Sequence, residues 1–216
     1  VAQHTFAMLF YLLEKLPYYD RYVKDEKYIG DKMFTHFDKH FGELAKMTWG
    51  IIGLGNIGRR VADIAKAFGC RVIYYSTSGR NSQPGYERVS FEELLKESDI
   101  VSVHAPLDEN TLDLMNKEAF HQMKKTAIFL NLGRGPIVVE EDLAEALEQG
   151  EIAAAGLDVL RVEPMSPENP LRRIKDSEKL LITPHIAWAS VEARTRLMEI
   201  ICGQIQEFFS NGSPES

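Results

Sequence analysis

Cysteine is almost missing from this sequence: Cys70 and Cys202 are the only two among its 216 residues. Two thiols cannot build a disulfide framework, and neither has the companions or the spacing of a zinc site. No metal is expected, and a reducing, cytoplasmic compartment fits best. Basic residues are also short. Asp and Glu outnumber Lys and Arg by 32 to 25, a formal charge of −7, so no broad basic footprint exists for a nucleic-acid backbone. Long hydrophobic runs are lacking as well. The apolar stretch from Phe6 to Leu13 is hemmed in by Gln3, His4, Glu14 and Lys15. It is far too short to span a membrane, and it lacks the basic start and small-residue cleavage site of a signal peptide. There is no internal repeat, and low complexity is confined to the polar tail from Ser210 to Ser216.

What is present suits one substantial core, since 44% of the residues are hydrophobic, the share of an ordinary globular domain. From Val1 to about Val23, the residues Ala2, Phe6, Leu9, Leu13 and Leu16 recur at steps of three and four, which predicts a helix with one apolar face. Lys24 to Lys46 reads as a long connection with little regular structure. Thereafter short apolar runs alternate with amphipathic segments. Strands are predicted at Thr48 to Ile52, Arg71 to Tyr75, Ile100 to Val103, Ala127 to Asn131, Ala153 to Leu157 and Leu180 to Thr183. Helices are predicted at Ile57 to Phe68, Phe91 to Glu97, Lys117 to Met123, Glu140 to Gln149 and Ser190 to Phe209. Ser90 with Glu93 forms a capping box, and Gly150 stops the helix before it. Continuously apolar strands alternating with helices imply an α/β fold, a Rossmann-type doubly wound parallel sheet with helices on both faces. The expected division is 1–46 as an opening helix and connection, 47–189 as the sheet domain, and 190–216 as a final helix and tail.

Gly53, Gly55 and Gly58 form G-x-G-x-x-G directly after the first strand and before a helix opening at Asn56 or Ile57. Three glycines alone say little, but a strand before and a helix after make them a dinucleotide fingerprint. The first permits the turn, the second lets the backbone approach a pyrophosphate, and the third lets the helix pack closely on the strand. An NAD site usually carries an acidic residue about twenty positions on, where it bonds the ribose hydroxyls. Here the second strand ends in Tyr75-Ser76-Thr77-Ser78-Gly79-Arg80, without a carboxylate. Ser76 removes repulsion toward a 2′-phosphate and Arg80 offers it a positive charge, so both NAD and NADP stay open. Ser76 and Arg80 also fit a plain turn.

Ligands of open parallel sheets bind at the carboxyl ends of the strands. Arg134, Asp158, Glu163 and His185 all fall there. An arginine fork can hold the carboxylate and carbonyl of a 2-oxo acid. A histidine can give the carbonyl oxygen a proton near neutral pH, and a carboxylate such as Glu163 can orient its ring. Each also has a plainer reading: Arg134 as a solvated turn, and the acids as loop caps. His104 ends a strand too, and spacing does not choose between it and His185. His4, His36, His40 and His121 have no partnered motif and read as surface or packing residues.

The runs Gly-Leu-Gly-Asn-Ile-Gly (53–58), His-Ala-Pro-Leu (104–107), Asn-Leu-Gly-Arg-Gly-Pro-Ile-Val (131–138), Gly-Leu-Asp-Val (156–159) with Glu163-Pro164, and Thr-Pro-His-Ile (183–186) follow one another along nearly the whole chain. In that order they resemble the D-isomer-specific 2-hydroxyacid dehydrogenases. Trp188 is similar to the glycerate dehydrogenase and hydroxypyruvate reductase branch. The resemblance implies that Arg134 binds substrate, His185 is the acid/base, Glu163 tunes it, and Asp158 lies by the nicotinamide. The cofactor site expected from all these readings comprises Gly53, Gly55, Asn56, Ile57, Gly58, Ser76, Thr77, Arg80, His104, Ala105, Pro106, Leu132, Gly133, Asp158 and Trp188. Leu132 and Gly133 depart from many relatives. The resemblance also implies that the opening helix links two domains, that most of the substrate domain is absent, and that these residues alone bind dinucleotide with little turnover. A homodimer is expected, and the apolar face of the opening helix either docks on a second subunit or packs on its own domain. The partner is a small 2-hydroxy or 2-oxo acid, with no nucleic acid and no membrane. A dinucleotide-sensing or corepressor-like association module is the alternative function.

Overall fold

The computed structural model describes residues 1–80 and 82–210. Seven strands form one sheet: β1 (Thr48–Ile52), β2 (Arg71–Tyr75), β3 (Glu87–Arg88), β4 (Ile100–Val103), β5 (Ile128–Asn131), β6 (Ala154–Leu157) and β7 (Leu180–Ile182). Their order is β3-β2-β1-β4-β5-β6-β7 and every pairing is parallel. The doubly wound α/β sheet expected from the alternating pattern is therefore present. The chain leaves β1 toward β2 on one side and returns to pair β4 on the other. This reversal opens a crevice above the carboxyl ends of β1 and β4.

Helices cover both faces: α1 (Ala2–Leu13) and α3 (Asn56–Ala67) on one, α4 (Phe91–Glu97), α5 (Lys117–Gln122) and α6 (Glu140–Gln149) on the other. Alternation along β1 sends Trp49 and Ile51 to the first layer and Ile52 to the second, all fully buried. Local signals behave as their chemistry dictates. Ser90 Oγ accepts the Glu93 N–H at 3.2 Å, and Gly150 closes α6 with φ 68°.

Three expectations change. The opening segment is two helices, because Lys15 turns left-handed at φ 56° and α2 (Leu16–Lys24) restarts with Pro17 in its first turn. Pro17 has no N–H to give a continuing helix, so the chain breaks at Lys15, and Leu16, now the first residue of α2, leaves the shared face and is exposed. The two-residue strand β3 at the sheet edge has no apolar pattern to announce it; Ile73 and Tyr74 of β2 pair with it. Most consequentially, the apolar face of α1 is not free for a second subunit. Phe6, Met8, Leu9, Leu12 and Leu13 are buried against β5, β6 and α3. At roughly 1.5–3 kcal/mol for each large side chain buried, that packing suffices to hold the helix within the chain. The final helix, α7 (Val191–Ser210), buries none of its residues. The polar tail lies outside the described residues beyond Ser210.

Candidate active site

The glycine turn sits where β1 ends. Gly53 has φ 90°, and a Cβ there would lie 2.7 Å from the Ala105 nitrogen, so the loop after β4 lies against this turn. A Cβ on Gly58 would meet the Gly53 carbonyl oxygen at 2.3 Å, which is how closely α3 packs on the turn. On Gly55 a Cβ would meet nothing within 4 Å. The opening there faces a helix end with no side-chain cap and no acidic residue in its first turn. Asn56 and Ile57 are exposed beside it. Unpaired N–H groups and the positive end of a twelve-residue helix suit a pyrophosphate, so the turn fits a dinucleotide.

Beyond β2, Ser76 is buried, Thr77 is half-buried and Arg80 is exposed. The described residues that follow β2, Ser76 to Arg80, include no carboxylate. The loop that follows is stapled to α3 by Lys66 Nζ on the Gly85 carbonyl at 2.6 Å and by Tyr86 on Asp63 at 2.5 Å.

The two rival histidines have opposite environments. His104 follows β4, and its Nε2 lies 3.1 Å from Ser102 Oγ, which also accepts the Trp49 indole N–H at 2.8 Å. Burial pushes the His104 imidazole down to about 3, so it is neutral at physiological pH and a poor proton donor. Its Nδ1 is shielded and, among the described residues, has no hydrogen-bond partner. His185, by contrast, is partly exposed, and its Nδ1 lies 2.7 Å from Glu163 Oε2. Glu163 Oε1 accepts the Leu160 N–H at 2.7 Å, which fixes the carboxylate. Among the described residues, Nε2 of His185 makes no hydrogen bond and is left for a ligand.

Backbone geometry aims this ring. His185 has φ 54°, a left-handed conformation rare for a non-glycine residue. Its N–H donates to the carbonyls of Asp158 and Thr183. Asp158 is buried, and its carboxylate accepts the Thr183 hydroxyl at 2.6 Å, the Ile186 N–H at 2.9 Å and the Ala187 N–H at 2.8 Å. The hydrogen bonds of Asp158 thus run to the His185 loop, a link that its place at a strand end did not announce. A cavity of about 500 Å³ adjoins the pair, lined by Leu160, Pro164, Met165 and Ile182 with the polar residues just named.

Arg134 follows β5 and is exposed, with one guanidinium N–H on its neighbour Gly133's carbonyl at 2.8 Å and, among the described residues, its other donors uncommitted. Buried Asn131, which had no role of its own in the motif 131–138, shapes that loop: its amide donates to the Arg134 carbonyl and its oxygen accepts the Gly133 N–H, each at 3.0 Å. A polar residue in the last position of an otherwise apolar strand was the available signal. Leu132 and Gly133 are buried, as is Ala105, while Pro106 and Trp188 are exposed. A Cβ on Gly135 would lie 1.9 Å from the Leu160 oxygen, so the Arg134 loop abuts the one that carries Glu163. Arg134, Glu163 and His185 therefore rise from three adjacent strands, β5, β6 and β7, although only the last two touch.

A parallel sheet with a glycine turn at its switch point and a histidine-carboxylate pair at its carboxyl edge defines a dinucleotide-binding α/β domain of the dehydrogenase kind. Comparison with known proteins makes this specific: residues 6–187 match the D-isomer specific 2-hydroxyacid dehydrogenase, NAD binding domain, and the chain belongs to that family. It is 38% identical to a hydroxypyruvate reductase of Blautia hydrogenotrophica over 99% of this chain and 66% of that protein. The D-lactate dehydrogenase of Aquifex aeolicus, solved with NAD and lactic acid, superposes with a TM-score of 0.87 at 29% identity, covering 97% of this chain and 66% of that one. An acyclic imino acid reductase solved with NADPH and D-Arg gives 0.85 at 31% identity, covering 97% and 64%. The chain thus spans just under two thirds of the length of these relatives. Among the described residues, no helix is long and apolar enough to cross a membrane.

Proposed function

We propose that this chain provides the cofactor-binding and proton-transferring part of an NAD(P)-dependent oxidoreductase. Its substrates are small D-2-hydroxy acids and their 2-oxo partners, of the glycerate/hydroxypyruvate or glyoxylate type. One observation carries the reading: the His185 ring is bonded to Glu163 through Nδ1 at 2.7 Å, with Nε2 uncommitted. A module that only senses dinucleotide needs no such pair. Bound dinucleotide would supply the hydride. His185 Nε2–H gives its proton to the keto oxygen during reduction and, when neutral, takes one from the hydroxyl during oxidation, so the two directions prefer different pH. Glu163 holds the ring's orientation and tautomer. Arg134 grips the substrate carboxylate and offsets charge growing on the keto oxygen.

Gly53, Gly55 and Gly58, with the amides of Asn56 and Ile57, hold the pyrophosphate. His104, Ala105, Pro106, Leu132, Gly133, Asp158 and Trp188 border the rest of the dinucleotide. At the adenosine end, Ser76 and Thr77 accept either NAD or NADP, and Arg80 is the residue that favours the 2′-phosphate. The catalytic pair is open to water on one side, with side-chain exposures of 42% at His185 and 35% at Glu163. These 216 residues by themselves therefore bind dinucleotide but turn over slowly, since alignment and water exclusion need a second wall. We also propose a homodimer in the reducing cytoplasm, built on the aromatic arm between α2 and β1 rather than on α1. That arm exposes Ile29, Phe34, Phe37 and Phe41.

The test uses an enzyme extended to the length of its relatives, assayed against hydroxypyruvate, glyoxylate and pyruvate with NADH and NADPH in turn. His185→Ala is expected to abolish turnover and keep dinucleotide affinity. Near-parental turnover in that variant would remove His185 from the mechanism, and consumption of no acid by the parent would favour the sensing function.

A further inference from the structure

The hydroxyl of Thr183 has one proton, and it goes to Asp158 Oδ1 at 2.6 Å. Its oxygen is then an acceptor, and the group that reaches it is Nε2 of His4 at 3.0 Å, so that nitrogen carries a proton. The same Nε2 lies 3.6 Å from Asp158, whose side chain is only 2% exposed. From α1, therefore, a continuous line of donors runs through His4 and Thr183 to Asp158. From the other side, that carboxylate receives the two amides, Ile186 and Ala187, that directly follow His185. A left-handed histidine persists only where its surroundings impose the conformation, and these amides are what the surroundings hold.

We propose that His4 is a positioning residue for His185. Its N–H fixes the direction of the Thr183 hydroxyl. That hydroxyl keeps the Asp158 carboxylate turned toward the Ile186 and Ala187 amides, and the amides hold the His185 backbone so that Nδ1 meets Glu163. Without His4, the Thr183 oxygen loses its donor, its hydroxyl is free to rotate, and the loop loosens at the residue that needs restraint. The inference rests on His185 as the acid/base, but the geometry it describes does not depend on turnover.

The experiment compares the parent with His4→Ala, His4→Gln and Thr183→Val. Amide hydrogen exchange at Ile186 and Ala187, and the ring-nitrogen NMR signals of His185, are read without substrate. His4→Ala is expected to speed exchange at those two amides by about tenfold, the scale of one buried hydrogen bond left unmade, with β1 and β4 unaffected. Gln carries an N–H that can reach Thr183 and should restore most of the protection. Thr183→Val keeps the packing of α1 and should reproduce the alanine effect, which covers the case in which His4→Ala does not fold. In the extended enzyme, kcat is expected to fall about tenfold while KM and dinucleotide affinity hold. Unchanged exchange in both His4→Ala and Thr183→Val would overturn the proposal. So would a general loss of protection across the sheet that Gln fails to rescue, since this marks His4 as packing alone. A parent that reduces no 2-oxo acid, yet shows the local response, would refute the function proposed above and leave this positioning role supported.

Discussion

Burial separates two histidines that sit at the carboxyl edge of one sheet. His104 is held neutral by its surroundings down to about pH 3, whereas an unfolded chain protonates its imidazole near pH 6.5. Between those values the unfolded state binds a proton that the folded state refuses. Stability from this residue is therefore complete above about pH 6.5 and is lost as the pH falls toward 3. His104→Asn removes the titrating group, and the variant is expected to take up about one proton fewer on unfolding at pH 4.5. Denaturant midpoints measured at pH 7 and pH 4.5 check this: the gap between them should narrow in the variant. A gap of parental size would show that His104 is already charged in the folded protein. The contrast also accounts for what spacing left open between His104 and His185. Both follow strands, and sequence position carries no information on how deeply a ring is enclosed.

Among the elements, the phosphate turn makes the sharpest expectation. Gly55→Ala introduces a Cβ that touches nothing in the protein and sits at φ −81°, an ordinary value for alanine. Stability should stay within about 0.5 kcal/mol of the parent. Dinucleotide affinity should fall, because the added methyl occupies the space where the pyrophosphate approaches the backbone. Gly58→Ala differs, since its Cβ would meet the Gly53 oxygen at 2.3 Å and must push α3 off the turn. It should lose about 1–3 kcal/mol of stability together with its affinity. Calorimetric titration and thermal melts of the two variants separate these effects, and undiminished binding by Gly55→Ala would sink the pyrophosphate assignment.

Elements with strong periodicity were legible in the sequence, and so was the turn. Six strands and the helices after β1 rest on apolar runs of five or so residues bounded by caps, and these are local signals. The break at Lys15 was present in Pro17 but was masked by apolar residues continuing at helical spacing. β3 was invisible because Glu87 and Arg88 are exposed and bury nothing: backbone pairing and the surface ion pair of Glu87 with Arg71 hold them to β2, and neither leaves an apolar pattern. The candidate site divides in the same way. Arg134, Glu163 and His185 could be named from strand ends and from resemblance. His4 could not, because its partner Thr183 is 179 residues away and only the folded chain brings them together.

At the scale of the whole molecule, α1 contributes to the core, so any association between copies must use another surface. The arm from residues 26 to 43 is built for exposure rather than left loose. Tyr22 stacks on His36 with centroids 3.8 Å apart, Tyr18 donates to or accepts from the same ring at 2.9 Å, and Tyr19 and Tyr28 bond the carbonyls of Lys39 and Phe34. These contacts fix the backbone while Phe34 and Ile29 stay 92% and 81% exposed, and an exposed apolar patch of this kind marks an interaction surface. A twofold partner presenting the same surface would cover both sets at once. Light scattering at micromolar concentration is expected to give twice the chain mass. Phe34→Asp combined with Phe37→Asp should bring it to one chain mass without changing dinucleotide affinity, since neither residue belongs to the glycine turn or the strand ends assigned to the dinucleotide. Substituting Ile201 on α7 should leave the mass doubled. A parent that scatters as a single chain would refute the dimer, and a doubled mass lost only on changing α7 would move the interface to that helix.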